Sequence, residues 1–410
     1  MSSLNEILER IGGEKRIELG LERFQAALDE LGNPEKAVHT LVIGGTNGKG
    51  STTLYVSSAL LEAGYRVGTY LSPHLQCPTE RFLVNLKPIA YTELESLAQS
   101  LEPIATQYQL TYFEFLTLLY YVWAKDQKLD FSITEVGLGG RLDATNVGNP
   151  LACAITNISL DHENYLGNTH QSILTEKLGI LRPEGLLFSA IKDKTLQTQV
   201  IDACNAVDTI YYFTDELKTE KLTQAFAGQT FEVNGYPFEI QNPSPSAIEN
   251  MQLAFLILRI VFPKIPMSTL QAAFKNVKNP ARMELVQAEP KVYLSGDHNL
   301  EGIHSLIETL KTLEIKPRIV CAFSPDKPFE AMFKQLESVS SQITLTSVTR
   351  LKDSLPSNYF KMGNYIESPI EAVQKAISTL SSSDTLIITG SLYLAGEVRS
   401  LWKKEADFQC

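Results

Sequence analysis

The chain has 410 residues, of which 44% are hydrophobic and 20% charged, the balance of a soluble globular protein long enough for two domains. Its 36 Lys and Arg against 47 Asp and Glu give a formal charge of −11, which argues against a general nucleic-acid binder. No apolar run approaches the roughly 20 residues that span a bilayer, and the polar N-terminus MSSLNEILERIGGEKRIELG lacks an apolar signal core, so the expected compartment is the cytoplasm.

The predicted elements alternate between strand and helix. His39–Ile43 is a short apolar strand ending in glycine, Ser51–Ala63 a helix stopped by Gly64, and Val67–Leu71 the next strand. Phe113–Ala124 reads as an apolar helix, Phe131–Val136 as a β-rich run ending at Gly137, and Leu151–Thr156 as a buried strand. Residues 191–240 carry short strand-like pieces, Thr209–Phe213 and Thr230–Val233, and close the first domain with a helix over Ile248–Val261. After the turn-rich KNPARMEL segment the β/α pattern restarts, with strands at Val292–Leu294, Arg318–Phe323, Gln342–Ser347 and Thr385–Thr389. The expected fold is α/β. A phosphate-loop-type, mostly parallel sheet domain over residues 1–286 precedes a smaller Rossmann-like α/β domain over 287–410. The five scattered cysteines (Cys77, Cys153, Cys204, Cys321, Cys410) show no metal-like spacing and read as free thiols.

The chemistry starts at Gly44-Gly45-Thr46-Asn47-Gly48-Lys49-Gly50-Ser51-Thr52, between a predicted strand and a predicted helix. Glycines there let backbone N–H groups approach phosphate oxygens, and the helix N-terminus adds partial positive charge. Lys49 can reach terminal phosphates and Ser51 a phosphate or a metal. The strict Walker spacing fails, because Ile43 stands where glycine is required and Gly50 separates Lys49 from Ser51.

The loop resembles that of the Mur ligase superfamily. Five further segments are similar to folylpolyglutamate synthases. They are Ser72-Pro73-His74-Leu75 with Glu80-Arg81-Phe82; Thr111-Tyr112-Phe113-Glu114-Phe115; Glu135 to Asn146 (EVGLGGRLDATN); Ser159-Leu160-Asp161-His162 with Leu166 to Thr169; and Gly390-Ser391-Leu392-Tyr393 with Gly396-Glu397-Val398-Arg399. The resemblance implies an ATP-dependent ligase that adds L-glutamate to dihydropteroate, to reduced folates, or to both. It implies two Mg²⁺ sites drawn from Ser72, Glu135, His162 and a carbamylated Lys177, and a pterin site at Thr111, Tyr112, Phe113, Glu114, Leu142, Asp143 and Ala144. Phe113 and Phe115 could stack on a flat ring, and the stretch Ile11–Glu14 could add a loop. Nucleotide contacts are implied for Gly45 to Ser51, for Asn250 and for Arg282. Catalytic roles are implied for Lys49, His162 and Lys177, and for His298 in the second domain.

Departures from the pattern lie downstream. Ala247 and Ile248 stand where His and Gln are usual before Asn250, and Ser295-Gly296-Asp297-His298-Asn299 carries Ser and Asp in place of Asp and Ala. Two readings stand for this motif. Asp297 supplies the nucleotide-binding carboxylate two residues along, or the contact at Ser295 is weakened. The implied partners are small molecules only, with neither nucleic acid nor membrane, acting on a monomer. The competing readings are a peptidoglycan Mur ligase, disfavoured by the missing extra N-terminal domain, and a degenerate nucleotide-binding module, supported only by the altered 295–299 motif.

Overall fold

The computed structural model describes residues 3–13 and 16–403. β1 (His39–Gly44), β2 (Val67–Tyr70), β3 (Phe82–Val84), β4 (Lys87–Pro88), β5 (Phe131–Glu135), β6 (Ala152–Ile155), β7 (Leu186–Ser189) and β8 (Ile210–Phe213) form one sheet in the order β4-β3-β2-β5-β1-β6-β7-β8. Every neighbouring pair is parallel except those made by β3, which is antiparallel to β2 and β4. Side chains alternate across β1 with period two. Leu41 and Ile43 join one core with Tyr55, Val56 and Met251, whereas Val42 joins the opposite core with Leu174 and Leu187. Helices therefore cover both faces, which is why the central strands lack polar alternation.

β9 (Thr219–Ala225), β10 (Gly228–Val233) and β11 (Tyr236–Ile240) form a separate antiparallel sheet. Phe231 and Phe238 on it pack into the same core as the helix Pro245–Val261. At the β9–β10 turn, Phe226 reaches out and stacks on Tyr293 at 4.7 Å between ring centroids, with the Lys291 ammonium 5.3 Å over its face.

The third sheet holds β12 (Glu284–Gln287), β13 (Lys291–Leu294), β14 (Arg318–Cys321), β15 (Ile343–Leu345), β16 (Asn364–Tyr365) and β17 (Thr385–Thr389) in the order β12-β13-β17-β14-β15-β16. Only β12 runs antiparallel to its neighbour. The architecture is the expected one, a mostly parallel α/β sheet followed by a smaller α/β unit. No helix among the described residues is long and apolar enough to cross a membrane.

Cys153, Cys204 and Cys321 are free and buried. Cys77 is disulfide-bonded, which corrects the expectation of a free thiol there; spacing along the chain carries no information on which sulfurs meet in space. Cys410 lies outside the described residues.

One buried acid stands apart from the functional cleft. Glu35 is 5% exposed, neither carboxylate oxygen has a hydrogen-bond partner, and the Lys36 ammonium lies 3.9 Å away. Burial raises its carboxyl above the usual range. The unfolded chain therefore releases this proton first, and stability is lost as pH rises through the raised value. Glu35→Gln should stabilise the protein at pH 8 by about 1 kcal/mol and change little at pH 4, measured by urea unfolding at both values.

Candidate active site

β1 ends at Gly44, and the helix Lys49–Glu62 begins after Gly48, which occupies the left-handed region at φ 83° and provides no side-chain cap. The first N–H groups of this helix are thus free to bind an anion. Glycine is required at two positions. A Cβ on Gly45 (φ 133°) would sit 1.9 Å from Thr156 Oγ1, and one on Gly48 would sit 2.0 Å from Asn250 Oδ1. The second contact explains Asn250, whose amide lies flat against the loop.

The parallel register places Glu135 beside Ile43, the residue before the loop. Glu135 Oε2 accepts from the Ser72 backbone N–H at 2.9 Å, and lies 3.1 Å from where a Gly50 Cβ would be. Lys49 Nζ donates to the Thr46 carbonyl at 2.9 Å. Burial raises the Glu135 carboxyl and lowers the Lys49 ammonium, and each charge partly offsets the shift in the other.

Lys177 enters from the helix His170–Leu178, which Thr169 caps. It is 4% exposed, and its Nζ donates to the Gly45 carbonyl at 2.8 Å. Burial, reinforced by the Lys49 cation, lowers its pKa to about 7. A buried lysine of this kind presents a neutral amine near neutral pH. Removal from bulk water, with Lys327 nearby, likewise keeps the His162 ring below its usual pKa, and His162 sits in the left-handed region at φ 50° beside the same cleft.

The cleft, of about 380 Å³, is lined by the loop Gly45–Ser51 and by Ser72, Glu135, His162 and Lys177. Thr111–Glu114 and Leu142–Ala144 form its other wall, and Arg282 and His298 lie where it meets the C-terminal sheet. Phe113 faces the cleft with its ring against Gly137. Phe115 does not. It is fully buried in the core, because residues two apart on a helix point to nearly opposite sides. Asp143 is buried and folds the loop, accepting from Leu138 N at 2.8 Å, Thr145 N at 2.9 Å and Thr145 Oγ1 at 2.6 Å. Ile11 is buried in the core and Glu14 lies outside the described residues; the N-terminal contribution to the cleft comes from Arg16–Leu19.

A second cavity of about 280 Å³ shares Asn47, Gly48, Ser51, Arg282 and His298 with the first, and holds Asn250, Ser295 and Asp297. Ser295 Oγ donates to Asp297 Oδ2 at 2.5 Å. Every residue singled out from the sequence therefore borders one of two adjoining cavities. Among the described residues no three His, Cys, Asp or Glu side chains form a metal-binding cluster. The donors present, Ser72, Glu135, His162 and a convertible Lys177, fit a hard cation that completes its shell with phosphate oxygens and water.

Two family models match the chain: Mur ligase middle domain over residues 43–258, and Mur ligase, glutamate ligase domain over residues 281–392. The dihydrofolate synthase/folylpolyglutamate synthase of Bacillus subtilis is 33% identical, covering 94% of this chain and 95% of its own. The chain belongs to the Mur ligase family, in its dihydrofolate synthase/folylpolyglutamate synthase branch. Among solved structures of this family, a Thermotoga maritima folylpolyglutamate synthase superposes with a TM-score of 0.85 at 29% identity, covering 98% of this chain and 97% of its own. E. coli FolC in complex with DHPP and ADP gives 0.83 at 26% identity, with coverages of 98% and 97%.

Several residues of this Mur ligase site carry no signal of their own in the sequence. Arg23 Nε donates to Glu114 Oε2 at 2.9 Å, and Thr111 N donates to the same oxygen at 2.7 Å, so the Glu114 carboxylate is engaged on two sides. Arg81, 4% exposed, donates to His74 Nδ1 at 2.9 Å. Across the cleft Lys327 pairs with Asp161, both below 10% exposed, while Asn299 Nδ2 donates to Asp161 Oδ2 at 3.2 Å and His298 Nε2 stands 3.8 Å from it. Glu301 accepts from Asn47 Nδ2 at 2.9 Å and from Ser159 Oγ. Only the three-dimensional approach of the C-terminal unit to the phosphate loop creates these pairs.

Burial alone would raise the Asp161 carboxyl, but His162, Lys327 and His298 hold it well below the usual range. A depressed acid stabilises the fold above its unfolded pKa and ceases to do so as pH falls. Lys327→Met should destabilise the protein by about 3 kcal/mol at pH 7, because it strands a buried charge. The double variant with Asp161→Asn should recover most of that loss; additive losses in a double-mutant cycle would show the two groups to be uncoupled.

Proposed function

We propose that the protein is an ATP-dependent ligase that joins L-glutamate to 7,8-dihydropteroate, to tetrahydrofolate (poly)glutamates, or to both, through an acyl phosphate. The observation that carries this reading is a buried lysine with a pKa of about 7, hydrogen-bonded to the phosphate loop and opening on the same cleft as Glu135. The family printed for the B. subtilis relative and the DHPP and ADP in the E. coli complex agree with it.

In this reading the triphosphate of ATP lies on the N–H groups from Gly45 to Ser51, with Lys49 toward its terminal phosphate and Arg282 reaching it from the junction. Asn250 orders the loop, and Ser295 with Asp297 borders the nucleoside. Thr111–Glu114 and Leu142–Ala144 hold the pterin. The substrate carboxylate attacks the γ-phosphorus and ADP departs. The glutamate amine then attacks the acyl carbon and phosphate leaves. Catalysis is mostly positioning and charge neutralisation.

Ser72 and Glu135 would hold one magnesium ion, and His162 with carbamylated Lys177 a second; together they would neutralise phosphate charge. A neutral Lys177 amine adds CO₂ and loses a proton, which turns a cation into an oxygen donor suited to a hard metal. His298, its ring kept neutral by burial and Arg282 with a pKa of about 4, would accept a hydrogen bond from the incoming amine. Residues 1–286 and 287–410 act as two closing domains of a cytoplasmic monomer, on small molecules without nucleic acid or membrane.

Phosphate release measured with dihydropteroate and with tetrahydrofolate, each with ATP and glutamate, tests the reading; no release with either removes it. Lys177→Ala should lower the rate by at least about 100-fold, a transition-state loss of roughly 3 kcal/mol. The amine is free to react only in its deprotonated form, so activity should fall as pH drops through about 7, and added bicarbonate should move that fall to lower pH. A profile flat from pH 6 to 8.5 would contradict the carbamate.

A further inference from the structure

The second cavity opens from the same loop that would carry the triphosphate, and this inference rests on that nucleotide reading. The two cavities share Asn47, Gly48, Ser51, Arg282 and His298. With phosphates on the shared loop and the pterin wall in the first cavity, the nucleoside is left to the second. What that cavity offers a base is unusual. Among its lining residues the only aromatic rings are the imidazoles of His298 and His304, so wide stacking surfaces are missing.

Most of its amides and carboxylates are already engaged. Asn242 Nδ2 donates to the Arg282 carbonyl while its Oδ1 accepts from Ser244 N. Asn47 and Asn157 both donate to Glu301, and Glu249 pairs with Lys192. Asn250 lies against Gly48, and His304 stands exposed at the rim.

What remains is a cluster of three hydroxyls that bridges the two halves of the molecule. Ser244 Oγ lies 2.7 Å from Ser246 Oγ and 3.1 Å from Ser305 Oγ, and Ser305 Oγ donates to Ser246 Oγ at 3.4 Å. Ser244 precedes the helix Pro245–Val261 without capping it, so its hydroxyl is not committed to the helix. Ser246 belongs to the segment in which Ala247 and Ile248 replace the family's His and Gln, and Ser305 lies on the helix Leu300–Thr312 of the C-terminal unit.

A hydroxyl rotates and is donor or acceptor as its partner requires. Strong rejection of a near-identical ligand arises when fixed polar groups are left stranded by the wrong one. Three hydroxyls that satisfy one another are never stranded. A 6-amino and a 6-oxo purine therefore meet the same wall at similar cost. We propose that Ser244, Ser246 and Ser305 form the base-facing wall of the nucleotide site, and that the protein accepts purine nucleotides of either hydrogen-bonding polarity, adenine as well as guanine or hypoxanthine.

Titration of the full-length chain with ADP, GDP and IDP tests this by calorimetry, independently of turnover. The three Kd values should agree within about tenfold; an ADP preference above about 100-fold, the mark of fixed polar readout, would overturn the proposal. Ser246→Ala and Ser305→Ala should each raise all three Kd values by about 3–10-fold, the worth of one neutral hydrogen bond, and unchanged Kd values in a folded variant would place the base elsewhere. If the diphosphates bind alike while no pterin substrate supports phosphate release, the catalytic reading fails and this one stands.

Discussion

The site is held in place by a strand register. Pairing Ile43 of β1 with Glu135 of β5 places a buried carboxylate beside the start of a loop built to receive anions. Two groups that would each be unfavourable alone, Glu135 stripped of water and Lys49 likewise, sit close enough to moderate one another. A slip of one residue in that pairing would turn Glu135 to the other face of the sheet and leave the loop without its acid. The apolar cores on both faces, with Leu41 and Ile43 on one side and Val42 on the other, are what forbid the slip.

Lys177 depends on the same arrangement in a different way. Its helix is docked through Leu174 and Leu178 against the face that Val42 also serves, and its amine ends at the Gly45 carbonyl. The position is thus fixed by packing, and the low pKa follows from that position and from Lys49. The chemistry at the cleft is a product of burial more than of any single ion pair.

Much of this was legible in the sequence, and the limits are physical. The strand, glycine loop and helix around residues 39–63 announce themselves by composition. The same holds for Glu135, because it closes a β-rich run before glycine. Phe115 was misjudged, since a motif read as a string hides which way each helical residue points. Cys77 was misjudged because disulfide pairing is a property of space. Arg23, Asp161, Lys327 and Glu301 gain their meaning only from partners 91 to 254 positions away, as in Arg23 with Glu114 or Glu301 with Asn47. The segment 219–240 offered short polar strands with weak alternation, too little to show that they form a sheet of their own.

That small sheet has a mechanical consequence. The chain crosses between the two larger sheets near Ala281–Glu284, and Phe226 stacked on Tyr293 makes a second attachment. Two anchored points define an axis. Any parting of the two units that keeps both anchors is confined to rotation about the line between them, as with a door on two hinges. The Asp161–Lys327 pair then serves as the catch on the free edge, and the loop from Gly45 to Ser51 lies in the gap that such a swing would widen.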